Sequence, residues 1–269
     1  MEFKTLEDRM LYYRSKTDYV LTKKSYTMIM LDGKNFSSKV KKKFELPFDD
    51  TFIDIMNKTA AYVCSQIQGA KLGYVQSDEI SIILTDFDTK ECNCFYGNRL
   101  SKILSISASL ATSFFNKEIL KNIIKNKSSN TEIMDAFANE PLYQFDCKAW
   151  NFPTYNDVFA WFLYRQNDCI RNSKQQASHT YLSHKILLGL KTDEQIQMLK
   201  DTNNIDWNDY DDGKKFGRFI YKKNIEGSKI VNGKEINFIR SVWYTYDGFP
   251  LNGINGRNNF NTRFDIGIL

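Results

Sequence analysis

The first sustained apolar run, Tyr26 to Leu31 (YTMIML), stops abruptly at Asp32-Gly33 and reads as a buried strand closed by a turn. Ahead of it, Leu6 to Lys16 has the spacing of a short helix. Behind it, a basic stretch from Lys34 to Lys43 reads as a loop leading into FELPFDD, where Asp49 or Asp50 is placed to cap a helix over about Thr51 to Gln66. Phe52, Ile55, Met56, Thr59, Ala60 and Val63 recur along that helix at helical spacing, so one of its faces must pack on a sheet. Two strand-like halves follow, Lys71 to Val75 and Glu79 to Phe87, joined at Gln76, Ser77 and Asp78 as a hairpin with acids at its tip. The Ser- and Ala-rich periodic segment from Tyr96 to about Asn122 predicts a second helix, residues 121–141 an excursion with a polar centre, and Leu142 to Phe152 a strand.

This order, β-α-β-β-α-β, is that of the ferredoxin-like split unit, so the predicted fold class is α+β: an antiparallel ferredoxin-type sheet with helices on one face. A helical and β-hairpin C-terminal extension follows. It comprises a helix starting at Tyr155, a helix over Asp193 to Lys200, and alternating segments beyond Asp209 that predict hairpins around glycine turns. The chain is therefore read as a core over residues 1–153 and an extension over 154–269 that completes the site and an RNA-binding surface. The seam between them is topological, with no linker composition.

Composition narrows the classes. With 42% hydrophobic and 14% aromatic residues in a chain of 269, a disordered protein is excluded. No run approaches the length of a membrane span and the N-terminal segment is charged throughout, so the expectation is a cytoplasmic protein without a membrane partner. Five cysteines at 64, 92, 94, 147 and 169 have no disulfide-framework spacing and are read as thiols. Cys92 and Cys94 lack the second matching pair that a zinc site with His179 or His184 calls for. The formal charge of +5 suits a polyanionic partner and is also ordinary for a chain of this size.

The acids carry more. In a split sheet the first strand lies beside the third, so Asp32 at the end of one and Asp78 at the start of the other, with Glu79 next to it, are brought to neighbouring strand ends. Two such carboxylates suit Mg²⁺, which takes hard oxygen ligands and keeps positions for water and phosphate. A pair of such ions activates an attacking hydroxyl and neutralises a leaving phosphate. Gly33, without a side chain, leaves room for a triphosphate or metal to approach the backbone, and its carbonyl is a candidate ligand. The same residues also fit a plain Asp-Gly turn and a solvated hairpin tip. Arg99 and Lys102, three apart on one helix face, are candidates to hold phosphate oxygens. Tyr164, Arg165, Gln166, Asp168, Arg171 and Asn172 form a polar concentration that either lines a substrate groove or faces solvent.

LEDRMLYY, IMLDGKNFSS, FELPFDDTF, GYVQSDEISIIL, YGNRLSKILSISAS, FDCKAWNFP and YRQNDCIRNS occur in this order between Leu6 and Ser173, within a likeness that covers roughly residues 5 to 220. Together they resemble the tRNA-His guanylyltransferase superfamily, whose members add nucleotides to the 5′ end of tRNA on a polymerase-palm-like domain with two Mg²⁺ ions. The resemblance implies metal binding by Asp32, the Gly33 carbonyl and Asp78, with Glu79 as the neighbouring catalytic acid. It further implies nucleotide contacts by Lys34, Asn35, Phe36, Ser37, Ser77, Arg99 and Lys102, and an RNA or substrate groove lined by Arg165, Gln166 and Asn172. Lys214, Phe216 and Gly217 resemble a later K-x-G element. Where guanylyltransferases proper carry His-Ile-Asn-Asn, this chain has Ile170, Arg171, Asn172 and Ser173, and Leu46 stands where some members place Lys. With LSHKILLG at 182–189, the missing His resembles the guanylyltransferase-like branch that repairs 5′-truncated tRNAs against the opposite strand as template.

The activity so implied begins with ATP activation of a 5′-monophosphate, followed by attack of the 3′-hydroxyl of GTP or another NTP. The implied partners are tRNA and nucleoside triphosphates, and the implied assembly is a homotetramer. Three alternatives stand beside it: addition of a single 5′ guanylate to tRNA-His, a nucleotide cyclase, and a non-catalytic RNA-binding module. A cyclase has a GG[DE]EF-like loop where this chain has SDEIS, and an RNA-recognition sheet carries an RNP1-like pattern that is absent here.

Overall fold

The computed structural model describes residues 3–231 and 234–267, without the side chains of Lys41 and Val231. Helix α1 (Leu6–Ser15) leads to strand β1 (Tyr26–Gly33), α2 (Phe36–Lys43) and α3 (Asp50–Gln66). Then come β2 (Ala70–Gln76), β3 (Glu79–Leu84), α4 (Leu100–Asn126), α5 (Asn130–Asn139) and β4 (Phe145–Phe152). The second half holds α6 (Tyr155–Tyr181), α7 (His184–Leu187), α8 (Thr192–Asn203), α9 (Asp212–Phe216), β5 (Arg218–Val231), β6 (Lys234–Asp247) and α10 (Gly253–Arg263).

The sheet has the order β4-β1-β3-β2-β5-β6, with antiparallel neighbours throughout. Its first four strands are the split unit read from the sequence. The extension adds β5 beside β2, with Leu72 to Val75 paired to Tyr221 to Arg218, so residues 154–267 share the sheet of the first half.

Alternation along β1 explains why its run is apolar on both sides. Ile29 and Leu31 face α3 and α4 in a core with Met56, Val63, Ile82 and Phe115. Tyr26 and Met28 face the other way, into a second core with Tyr74, Phe162, Phe219 and Phe260. The expectation of helices on one face thus holds for the split unit, while α6 and α10 cover its opposite face. Asp49 caps α3, accepting from the Phe52 N–H at 2.8 Å, and Thr154 caps α6, accepting from the Asp157 N–H at 3.2 Å.

Three local expectations are corrected. The basic stretch after Lys34 is a helix, because Phe36 is fully buried against Phe115, Tyr143 and Phe145 and Val40 packs on the same core. The polar excursion contains α5, closed at its start by a Ser129–Glu132 capping box. Beyond Asp209 come the short α9, one long hairpin, β5–β6, and then α10, where hairpins alone were expected. No helix among the described residues is long and apolar enough to cross a membrane.

Candidate functional site

Asp32 pairs in register with Glu79 of β3 on one side and with Asp146 of β4 on the other. The Gly33 N–H donates to the Asp78 carbonyl at 3.1 Å, tying the end of β1 to the tip of the β2–β3 hairpin. That tip is a two-residue connection between the paired Gln76 and Glu79, and Ser77 takes a left-handed φ of 46° to make it. Asp32 and Asp78 therefore meet where the sequence placed them, at adjoining strand ends.

The electrostatics mark this spot. Burial raises the Asp32 carboxyl above the usual range, and the Asp146 charge raises it further, against Lys148, Arg165 and the Gly33 N–H. Asp78 is pushed up to about 6, chiefly by burial and further by the Asp32 charge. Arg165, one of the cations near Asp32, is committed elsewhere, to Glu79 and to Asp168. Two half-desolvated carboxyls that repel one another and lack an ion-pair partner among the described residues fit a hard divalent cation, with the Gly33 carbonyl as a third oxygen. The described residues hold no cluster of three or more His, Cys, Asp or Glu side chains able to bind a metal, and Cys94 donates instead to Asp86 at 2.8 Å.

Glu79 is a different kind of acid. Its carboxylate is buried and takes a two-pronged contact from Arg165, with Nε donating at 2.7 Å. Arg165 Nη1 donates to Asp168 at 2.6 Å, and Asp168 in turn holds the exposed Arg171 at 2.7 Å. This chain of charges fastens α6 to the hairpin beside Asp78, so Arg165 is a clamp on Glu79 where the sequence suggested a groove residue.

A cleft of about 670 Å³ opens at this end of the sheet, lined among others by Phe36, Ser37, Leu46, Asp49, Ser77, Asp78, Asn172 and Lys214. Ser37, Ser77 and Asn172 thus share one wall system with Asp78. Lys34 and Asn35 are exposed at the β1–α2 junction, where the Lys34 N–H donates to the Gln144 carbonyl at 2.8 Å and Asn35 turns the chain with a φ of 57°.

Other expected residues lie elsewhere or act otherwise. Arg99 and Lys102 sit at the opposite end of the sheet from Asp32: Arg99 bridges Val20, and the Leu100 N–H donates to the Tyr19 carbonyl at 2.8 Å. The reason is direction. Strand β3 leads away from the acids, so α4 begins at the far end and returns, with Thr112 reaching the Phe145 N–H that lies opposite Gly33. Gln166 is fully buried and lines no groove; its amide donates to the carbonyls of Phe216 and Phe249 and accepts from the Leu251 N–H at 2.7 Å. Gly33 is needed for packing: a Cβ there would lie 2.5 Å from the Phe36 ring. Phe216 and Gly217 form the turn into β5, where the Tyr74 hydroxyl donates to the Phe216 carbonyl at 2.8 Å.

Sequence reasoning missed Asp146, which an antiparallel β4 beside β1 places level with Asp32, and Lys148 two residues on. The signal was available in FDCK at the start of that strand.

Paired carboxyls at the adjoining ends of a 4-1-3-2 sheet, beside a cleft wide enough for a nucleotide, define a palm-type nucleotidyltransferase. Residues 8–153 match the family described as Thg1, tRNAHis guanylyltransferase, and the chain belongs to that family of nucleotidyltransferases acting on tRNA. It is 28% identical over 236 residues to an uncharacterized protein of Acanthamoeba polyphaga mimivirus, covering 84% of this chain and 80% of that protein. A bacterial tRNA(His) guanylyltransferase (Thg1)-like protein solved in complex with ATP superposes with a TM-score of 0.79 at 27% identity, over 96% of this chain and 98% of that one. A bacterial Thg1-like protein in complex with GTP superposes with a TM-score of 0.72 at 28% identity, over 95% and 96% of the respective chains.

Proposed function

We propose that this protein adds nucleotides to the 5′ end of tRNA in the 3′-to-5′ direction, templated by the opposite acceptor strand, as a 5′-end repair enzyme. The observation that carries the reading is the pair Asp32 and Asp78, converging without an ion-pair partner among the described residues beside a nucleotide-sized cleft. A non-catalytic RNA-binding sheet has no use for two such carboxyls. The likeness to Thg1-like proteins solved with ATP and with GTP supports these as substrates. Ile170, in place of the His of the guanylate-adding branch, packs against the small core around Leu199 and Trp207, which favours repair over single-guanylate addition.

In the chemistry proposed, the 3′-hydroxyl oxygen of an NTP forms a bond to the 5′ phosphorus of the RNA. The bond that breaks is to AMP at an adenylylated end, or to pyrophosphate at a triphosphate end. Asp32, the Gly33 carbonyl and Asp78 would hold Mg²⁺, which supplies charge neutralisation at the attacking and leaving oxygens. The cleft walls orient the nucleotide, and the Arg165–Glu79 clamp keeps the hairpin tip in place while charge builds beside it. Base choice is left to pairing with the template.

The test supplies purified protein, Mg²⁺, ATP and labelled NTPs to a tRNA lacking its first 5′ nucleotide, with Asp78→Ala as control. Extension solely by the base complementary to the opposite strand is expected. Guanylate added regardless of template returns the chain to single-guanylate addition, and a cyclic nucleotide formed without RNA replaces the reading with a cyclase.

A further inference from the structure

The cleft beside Asp78 is lined by the acids Glu45, Asp49 and Asp78 and by two permanent cations, Lys214 and Arg218. Lys214 is already neutralised, 2.8 Å from Asp50 and 3.2 Å from Asp211. Arg218 is not. Among the described residues no carboxylate lies within ion-pair distance of it, although it is only 4% exposed. Its Nε donates to Asn57 Oδ1 at 3.0 Å and its Nη1 to the Gly213 carbonyl at 3.1 Å, while Nη2 has neither a partner nor solvent. Asp247, opposite it on β6, lies near enough to act on its charge but makes no ion pair with it.

A buried guanidinium without a carboxylate is costly, and a fold keeps one where something else neutralises it. Its position is fixed by the backbone: it is the first residue of β5, directly after the left-handed turn at Gly217, whose φ is 76°. We propose that Arg218 is the counter-charge built into this cleft, recognising the phosphate chain of a nucleotide seated there. The inference rests on the nucleotide-transfer reading above and names the residue that admits a polyanion to a cleft whose other charged lining residues are Glu45, Asp49, Asp78 and the already neutralised Lys214. A desolvated cation acts strongly over several ångströms, so Arg218 contributes to phosphate affinity from the wall itself. The Asn57 and Gly213 contacts hold the guanidinium in that wall without cancelling its charge.

The experiment measures binding of ATP, adenosine and inorganic tripolyphosphate by titration calorimetry to wild type, Arg218→Met and Arg218→Lys, with a melting curve for each. Arg218→Met is expected to melt no lower than wild type and to bind ATP and tripolyphosphate at least about tenfold more weakly, with adenosine affinity unchanged. Arg218→Lys, which keeps the charge, is expected to stay within about threefold of wild type for ATP. Should Arg218→Met fail to fold, Arg218→Gln takes its place with the same expectation. Unchanged ATP affinity in the neutral variant overturns the proposal, as does an equal loss of ATP and adenosine, which marks a merely structural arginine. Tripolyphosphate bound by wild type and lost in the variant, with no ATP binding by either, supports the counter-charge and sinks the nucleotide reading. No binding of either anion by wild type overturns the counter-charge itself.

Discussion

Asp78 stabilises nothing by being ionised. Its folded pKa, about 6, lies above the ordinary 3.8, so the folded state holds the proton more tightly than the unfolded one. Stability present below about pH 4 is therefore lost as pH rises through 6. Asp78→Asn is expected to raise stability at neutral pH without divalent cations by up to about 3 kcal/mol, a gain that fades as pH falls to 4, while nucleotide addition is abolished. Melting curves at the two pH values check this, and adding Mg²⁺ is expected to raise the melting temperature of wild type but not of the variant. Arg165 has the opposite character: Arg165→Ala leaves Glu79 buried and unpaired, and a loss of about 3–5 kcal/mol is expected in denaturant titration. Sequence reasoning could place both acids because strand ends are local features. It could not tell a ligand from a clamp, since Glu79 differs from Asp78 by what α6 brings to it from residue 165.

At the scale of elements, the β1–α2 junction depends on one missing methyl. Gly33→Ala forces the Phe36 ring out of its cluster with Phe115, Tyr143 and Phe145, and a destabilisation of about 1–3 kcal/mol is expected by chemical denaturation. Element order was legible in the chain because the period of apolar residues switches cleanly between strand and helix. What escaped was chemistry masking pattern. The lysines of α2 hide a helix carried by Phe36 and Val40, with Lys39 donating to the Leu142 carbonyl at 2.7 Å and Lys43 paired to Glu140 at 2.5 Å. The glycines and asparagines of α10 conceal Phe260, which is fully buried. Arg99 and Lys102 lie three apart at the start of α4, but spacing along a helix does not say at which end of the sheet that helix begins.

For the whole molecule, among the described residues the β5–β6 hairpin is joined to the sheet only from Arg218 to Tyr221, and beyond that it pairs only with itself. Shortening it by replacing residues 224–241 with a two-residue turn is expected to leave the melting temperature within a few degrees, because Ile225, Ile230, Ile236, Phe238 and Ile239 are exposed. The near half of β5 matters in another way, through time. Strand β2 is made early, but its outer edge is covered by a strand that begins at Arg218, and its Tyr74 face by Phe162, Phe219 and Phe260. On a ribosome the split unit must wait, one edge and one apolar face bare, until more than half of the chain has emerged. A nascent protein of this shape is most vulnerable to misassociation midway through its own synthesis, and a chain arrested near residue 153 stays in that condition.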